Sequence, residues 1–322
     1  MHIAFALPDR ADIGGAGLAY AEAIAVGLRA MGHAVEMTEN NNAAWAPGAV
    51  PVIDGLLLPR LMPQLSALVE ADAVALIHHT LAGAGRDATQ RTKVAATMRT
   101  MLPRLRRVIA TSQPVADRLM QEFGVTAVDV VVPGADELPR SVAAGGMCRI
   151  LSVGVLTPRK GHDVLLRALA RLMDLDWSLT IAGAAGRDPE HAAYLAVLIP
   201  ELGLTDRVCL LADPDGPALD ALWREAHLFA LATRWEGYAA GVAEALRRGI
   251  PVVVTQGSGA LVPADAGAVC ALEDEPTLSK CLRRMVFDQA LRAEMAEAAW
   301  RAGQGLPGWA TQAALLDRIL RS

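Results

Sequence analysis

The stretch Thr233 to Gly259 reads T-R-W-E-G-Y-A-A-G-V-A-E-A-L-R-R-G-I-P-V-V-V-T-Q-G-S-G, and its reading decides the fold. An apolar run, His227 to Thr233, stops at Arg234-Trp235-Glu236-Gly237. A helical pattern follows from Gly241 to Arg248; Gly249 ends it and Pro251 prevents its return. Val252 to Val254 then form a β-branched run that suits a buried strand. The order is strand, loop, helix, strand. In an open α/β sheet such a loop lies at the carboxyl end of its strand, where ligands bind. Two carboxylates bracket the unit: Glu236 in the loop and Glu244 in the helix, with seven residues between them. If the loop folds back over the helix start, both face one crevice.

Outward from this stretch the alternation continues. Upstream, residues 2–7, 34–37, 50–58, 73–78, 108–111 and 128–132 read as strands separated mostly by helical patterns. Pro8 to Gly17 reads as a loop holding Gly14 and Gly15, and Asn40 to Asn42 as part of another. Pro133 to Gly146 is rich in glycine and proline and poor in large apolar residues, the composition of a linker. Beyond it the pattern repeats, with strands at 149–153, 179–182, 208–211 and 228–232, and a helical tail from Pro276 to Ser322. Alternating strands and helices predict parallel sheets covered on both faces.

The 322 residues suffice for two domains, and 53% hydrophobic content supplies a large core. No apolar run approaches a membrane span, and the start lacks the basic segment of a signal peptide. Cys148, Cys209, Cys270 and Cys281 have no metal-ligand spacing; three lie in or beside apolar runs, as free buried thiols of a reducing cytoplasm would. The net charge of −5 argues against nucleic acid as a partner. Of 30 basic residues only Lys93, Lys160 and Lys280 are lysines, so a lysine beside a glycine in a loop stands out.

The central stretch resembles the retaining glycosyltransferases of family four. Their signature is two glutamates with seven residues between them, the first in Glu-Gly-Phe-Gly and the second before a Gly-x-Pro-Val-Val segment. Here it stands as Glu236-Gly237-Tyr238-Ala239 and Glu244-Ala245-Leu246-Arg247-Arg248-Gly249-Ile250-Pro251-Val252-Val253. The resemblance implies an α/β GT-B fold, with two Rossmann-like domains facing a central cleft and a C-terminal helix crossing back to the first. In this chain that places an acceptor-side domain at 1–140, a nucleotide-sugar donor domain at 147–303 and the returning helix at 304–322. It is strong from Arg149 to Thr255 and loose before that.

A second motif, Ser152 to Asp163, follows a strand and opens a helix; it contains Gly154-Val155 and Arg159-Lys160-Gly161. Two cations in a glycine-flanked loop can grip a diphosphate. They can also be a solvated pair, but cations are disfavoured at a helix start. The resemblance assigns Lys160 to the donor diphosphate. The arginine the family places after this glycine is missing, since Val155 stands there, and Arg159 is the candidate replacement. Free helix-start amides at the turn Gly237, Tyr238, Ala239, Ala240 and Gly241 make an anion site, and the resemblance assigns it to the donor's diphosphate and sugar, with Ala239 in place of the usual glycine. Gly14 and Gly15 match the family's glycine-rich loop, though taken alone they are an ordinary turn. His78-His79 ends a strand, and one of the two matches a cleft-facing histidine near the donor sugar or acceptor. The resemblance further implies that Glu236 acts at the sugar and Glu244 at the ribose, with neither metal nor cofactor.

The function implied is retaining transfer of a sugar from a UDP- or GDP-sugar to a glycan, lipid-linked or small-molecule acceptor. Two alternatives stand beside it: a nucleotide-sugar-binding protein without catalysis, and a nicotinamide-dependent oxidoreductase. Val155 and the absence of an acid after Gly259 favour the first; the missing dinucleotide fingerprint weighs against the second. A basic run at 86–107, from Arg86 to Arg107, reads as a solvated helix face, or else as a weak peripheral contact with lipid headgroups on the inner membrane face.

Overall fold

The computed structural model describes all residues except 40–44, 79–87, 136, 144 and 259–260, and leaves aside the side chains of 10–16. The Asn40 to Asn42 loop, His79 and Arg86 thus lie outside the described residues. The chain divides into two units, Met1–Asp136 with Pro307–Ser322, and Glu137–Leu306.

The first unit holds β1 (His2–Leu7), α1 (Arg10–Ala30), β2 (Ala34–Glu39), β3 (Val50–Asp54), α2 (Leu65–Glu70), β4 (Val74–Ile77), α3 (Ala88–Met101), β5 (Arg107–Ala110), α4 (Gln113–Phe123) and β6 (Asp129–Val130). Its strands pair in parallel in the order β2-β1-β3-β4-β5-β6. Ile3, Phe5, Val52 and Leu76 form the core of this sheet together with Ala313 and Leu316 from α11 (Trp309–Arg321). Apolar residues at positions 309, 313, 316 and 319 share one helical face, which is why this last helix has a stripe to bury here.

The second unit holds β7 (Cys148–Val153), α5 (His162–Leu169), β8 (Trp177–Gly183), α6 (Pro189–Glu201), β9 (Val208–Ala212), α7 (Gly216–Glu225), β10 (Leu228–Leu231), α8 (Ala240–Arg247), β11 (Val252–Thr255), β12 (Gly267–Cys270), α9 (Glu275–Phe287) and α10 (Gln289–Gln304). The order is β12-β11-β10-β7-β8-β9, again parallel. Leu165, Leu198 and Leu282 pack on one face of the sheet. Trp223, Val242, Leu246 and Ala299 pack on the other. Because β7 leads to β8 and β9 on one side and the chain then jumps back to β10 beside β7, the topological switch point lies between β7 and β10.

Three expectations change. Gly14 and Gly15 lie within the first turns of α1 rather than in a loop. Glycine in a helix costs about 1 kcal/mol, a cost that the long alanine-rich remainder of a 21-residue helix can carry. The strand expected at 50–58 ends at Asp54, because the Asp54 carboxylate and carbonyl accept from the amides of Leu56 at 2.8 Å and Leu57 at 2.9 Å and turn the chain. The cysteines also divide: Cys148 and Cys270 are buried, Cys281 is half-buried and Cys209 is exposed.

Leu316 is fully buried in the first unit although it lies far along the chain from that unit's sheet. Leu316→Ala is expected to destabilise that unit by about 2–5 kcal/mol, read as a lowered midpoint in urea denaturation. A midpoint unchanged from wild type would show that α11 is not part of this core.

Candidate functional site

The loops that follow β7 and β10 meet at the switch point. After β7 the chain makes a single 3-10 turn, Pro158–Lys160, and then starts α5. Gly161 sits at φ +65°, and a Cβ there would collide with the carbonyl oxygen of Ala232 at the end of β10. Only a glycine both adopts this conformation and lets the turn press so close. The Lys160 chain then runs back across Gly154, its Cε 2.8 Å from where a Cβ at 154 would sit.

This geometry delivers two cations to one carboxylate. Lys160 Nζ pairs with Glu236 Oε1, and Arg159 Nη1 lies 3.1 Å from Oε2. Glu236 is 11% exposed, Lys160 13% and Arg159 42%. Arg159 also donates to the Trp235 carbonyl at 2.6 Å. The Thr233 hydroxyl lies 3.0 Å from the Arg159 carbonyl oxygen and 3.3 Å from both the Trp235 carbonyl oxygen and Glu236 Oε1. From the β11 side, the Gly257 carbonyl accepts from the Glu236 amide at 2.8 Å. Arg159 therefore stands with Lys160 although it occupies a different backbone position from the missing arginine at 155.

Arg234 fastens the two loops together. It donates to the Pro158 carbonyl and grips both oxygens of Asp163 at 3.2 Å, while its Nε lies 2.7 Å from Glu273. Burial acts to raise the Asp163 carboxyl, but the Arg234 guanidinium and the amides at the start of α5 hold it below the usual carboxylate range. Neither Arg234 nor Thr233 was singled out in the sequence, where nothing marks a loop arginine as a brace or a strand-end threonine as a hub.

α8 begins at Ala240 with Ala239 at its N-cap and no side chain capping it. The Ala240 amide donates to the Tyr238 carbonyl at 2.9 Å, and the helix-start amides that follow it are of the kind that attract anions. Gly241 answers a packing demand as well, because a Cβ there would stand 2.9 Å from the Phe229 ring. Gly237 and Tyr238 lie in the turn between Glu236 and α8. The carboxylate of Glu244 does not join the Glu236 cluster; its hydrogen bonds come from Arg248, at 3.1 and 3.3 Å.

In the first unit, His78 follows β4, and its Nε2 lies 3.6 Å from Oδ2 of the buried Asp54. The Tyr20 ring meets the His78 ring edge-on at 5.0 Å. Burial pushes the Asp54 carboxyl up to about 7. The sequence does not flag Asp54, which reads there as an ordinary strand residue. Much of the basic run is engaged within the same unit: Arg99 donates to the Glu122 carbonyl, Arg106 to the Leu320 carbonyl and Arg107 to Ser322. Among the described residues no helix is long and apolar enough to cross a membrane. Nor do three His, Cys, Asp or Glu side chains among them gather as metal ligands would.

His162, the first residue of α5, is fully buried, and neither ring nitrogen finds a protein hydrogen-bond partner among the described residues. Burial first, and the neighbouring Lys160 charge second, push it down to about 3. The folded protein thus keeps His162 neutral while the unfolded chain takes up a proton near 6.5. Its contribution to stability is fully present above 6.5 and is lost as pH falls from there toward 3. Between pH 7 and pH 5 the loss from this group is on the order of 2 kcal/mol. Denaturant titrations of wild type and His162→Phe at the two pH values should differ by that amount in their pH dependence; identical pH dependence would contradict the assignment.

Residues 137–301, just over half of the chain, match the family described as Glycosyl transferases group 1. D-inositol 3-phosphate glycosyltransferase of Salinispora arenicola is 30% identical over 225 residues, which are 61% of this chain and 50% of that protein. Mannosylfructose-phosphate synthase of Agrobacterium fabrum is 29% identical over 171 residues, 46% of this chain and 37% of its own length. The chain thus spans about half the length, or less, of the curated relatives it matches. Among solved structures, sucrose-phosphate synthase from Thermosynechococcus elongatus superposes with a TM-score of 0.82 at 17% identity, covering 99% of this chain and 98% of that one. HepE of Anabaena, in complex with UDP and glucose, gives 0.78 at 18% identity with both chains covered completely. These structural likenesses establish the α/β GT-B fold.

Proposed function

The chain belongs to the group 1 glycosyl transferases, and on that premise we propose that it moves a sugar, with retained anomeric configuration and without a metal, from a nucleoside-diphosphate donor to an acceptor. The observation that carries this is the charge cluster at the switch point, in which one glutamate is held by Lys160 and Arg159. Two cations sharing one carboxylate leave a net positive charge where a diphosphate would arrive. The diphosphate of the donor, with two negative charges or more, outcompetes a single carboxylate for both cations. Glu236 is then released from them toward the sugar. As the glycosidic bond breaks, charge grows on the departing diphosphate, and in this reading Lys160, Arg159 and amides at the start of α8 stabilise it. Glu236 opposes the positive character at the anomeric carbon. Glu244 accepts from the ribose hydroxyls. A UDP- or GDP-sugar suits this site; the Anabaena neighbour crystallised with UDP and glucose supports that choice.

The test is a panel of UDP- and GDP-sugars, scored by thermal shift and then by slow hydrolysis, which needs no acceptor. Binding with turnover supports the transferase; binding without turnover favours a non-catalytic receptor; stabilisation by NADH alone favours an oxidoreductase.

Two substitutions address the cluster. Lys160→Ala is expected to weaken nucleoside-diphosphate binding about tenfold or more, as expected for loss of a hydrogen bond between charged groups, whereas Lys280→Ala is expected to leave it unchanged; equal effects in calorimetry would overturn the role of Lys160. Glu236→Gln keeps the shape and removes the charge. Its turnover should fall by roughly an order of magnitude or more. Its affinity for the free nucleoside diphosphate should hold or rise, because the internal competitor for both cations has gone. A variant with normal turnover, or one whose only defect is weaker nucleotide binding, would place the catalytic centre elsewhere.

A further inference from the structure

The carboxylate of Glu244 is held asymmetrically. Arg248, one helical turn later, brings Nη2 to 3.1 Å and Nε to 3.3 Å from the same oxygen, Oε1. No hydrogen bond reaches Oε2 among the described residues, and the Glu244 side chain is 33% exposed. The Arg248 side chain, by contrast, is 4% exposed. Its Nη2 also meets Asp220 of α7 at 2.8 Å. Its guanidinium carbon lies 5.9 Å from the centre of the fully buried Trp223 ring. Its Nη1 is buried and has no hydrogen-bond partner among the described residues. The guanidinium is thus pinned by α7, by an indole and by its own helix, and has no room to follow a ligand.

We propose that Arg248 is a positioning residue for the donor site: it occupies Oε1 of Glu244 and so presents Oε2, fixed in place, to the vicinal hydroxyls of the nucleotide ribose. This rests on the reading of Glu244 as the ribose acceptor. The physical need is clear. A diol donates most strongly to a charged carboxylate held still. Burial, with the Asp220 charge behind it, leaves the Glu244 carboxyl above the usual carboxylate range, and the Arg248 charge and hydrogen bonds limit that rise. Without Arg248 the side chain would also regain its rotamer freedom. Arg248 could instead be only a brace between α7 and α8, and the experiment must separate the two.

The readout is a ratio, the affinity for UDP or GDP divided by that for its 2′,3′-dideoxy counterpart, measured by calorimetry at one pH and salt concentration. General loosening of the fold weakens both ligands alike and leaves the ratio intact. Wild type is expected to prefer the ribonucleotide by about tenfold or more, the effect of a hydrogen bond to a charged group. Arg248→Met should bring the ratio close to one although Glu244 is present. The double variant Glu244→Ala with Arg248→Met should match Glu244→Ala alone, since Arg248 acts through Glu244. Should Arg248→Met not fold, Arg248→Lys decides: one ammonium cannot hold Oε1 with two donors and also reach Asp220, so the ratio should fall about threefold, part of the full effect. A full wild-type ratio in either folded variant overturns the proposal while leaving the donor site standing. A wild type that binds neither UDP nor GDP overturns the donor-site reading and this proposal with it.

Discussion

The second unit is organised by a charge that two loops share. Glu236 leaves the end of β10, Lys160 and Arg159 leave the end of β7, and the two strands are neighbours. An isolated carboxylate at 11% exposure would be costly to keep ionised. Two cations offset that cost, and they reach it only because the 158–161 turn lies flat against the end of β10. The close approach at Gly161, the back-run of Lys160 over Gly154 and the hydrogen bond from Gly257 all serve the same meeting point. The arrangement is held by contacts from the loops that follow β7, β10 and β11. That is the property expected of a site preorganised to receive charge.

Around this pair stand two arginine braces with different tasks. Arg234 ties the loop after β10 to the turn after β7 through Pro158 and Asp163. Arg248 ties α8 to α7 through Asp220 and takes one oxygen of Glu244. The chain's preference for arginine over lysine fits this use, since a planar fork can satisfy two elements at once and a point charge cannot. The lysine at 160 is the exception. There a slim chain must cross a glycine backbone, and a guanidinium would need more width. Departures from the family pattern follow the same logic. Val155 carries no charge, but Arg159 brings its guanidinium to the same carboxylate from four residues further on. A second cation thus reaches the Glu236 carboxylate from a shifted backbone position.

Much was legible before any coordinates. The apolar period, the punctuating glycines and prolines and the β-branched runs predicted parallel α/β halves, because secondary structure responds to local spacing. The tail helix was readable from its stripe at 309, 313, 316 and 319, and its place on the first sheet from the family resemblance. The same local logic failed where a side chain overrode it. At Asp54 a carboxylate captured the next amides and ended a strand that composition would have continued. At Gly14 and Gly15 the cooperativity of a long helix outweighed two poor formers.

The sequence by itself determined the residue types at the site: two glutamates at a set spacing, a lysine and an arginine flanked by glycine, a helix start made of small residues. Those are consequences of chain order, and the family signature preserves them. Only the tertiary structure decided which charges meet. Glu236 and Glu244 have only seven residues between them in the chain yet belong to separate clusters, one with Lys160 and Arg159, the other with Arg248 and Asp220. His78 acquired its buried partner Asp54 from a neighbouring strand. The reason is that strand order in a parallel sheet is not chain order. The jump that sets β10 beside β7 brings together residues more than seventy positions apart, and no local spacing encodes that neighbourhood.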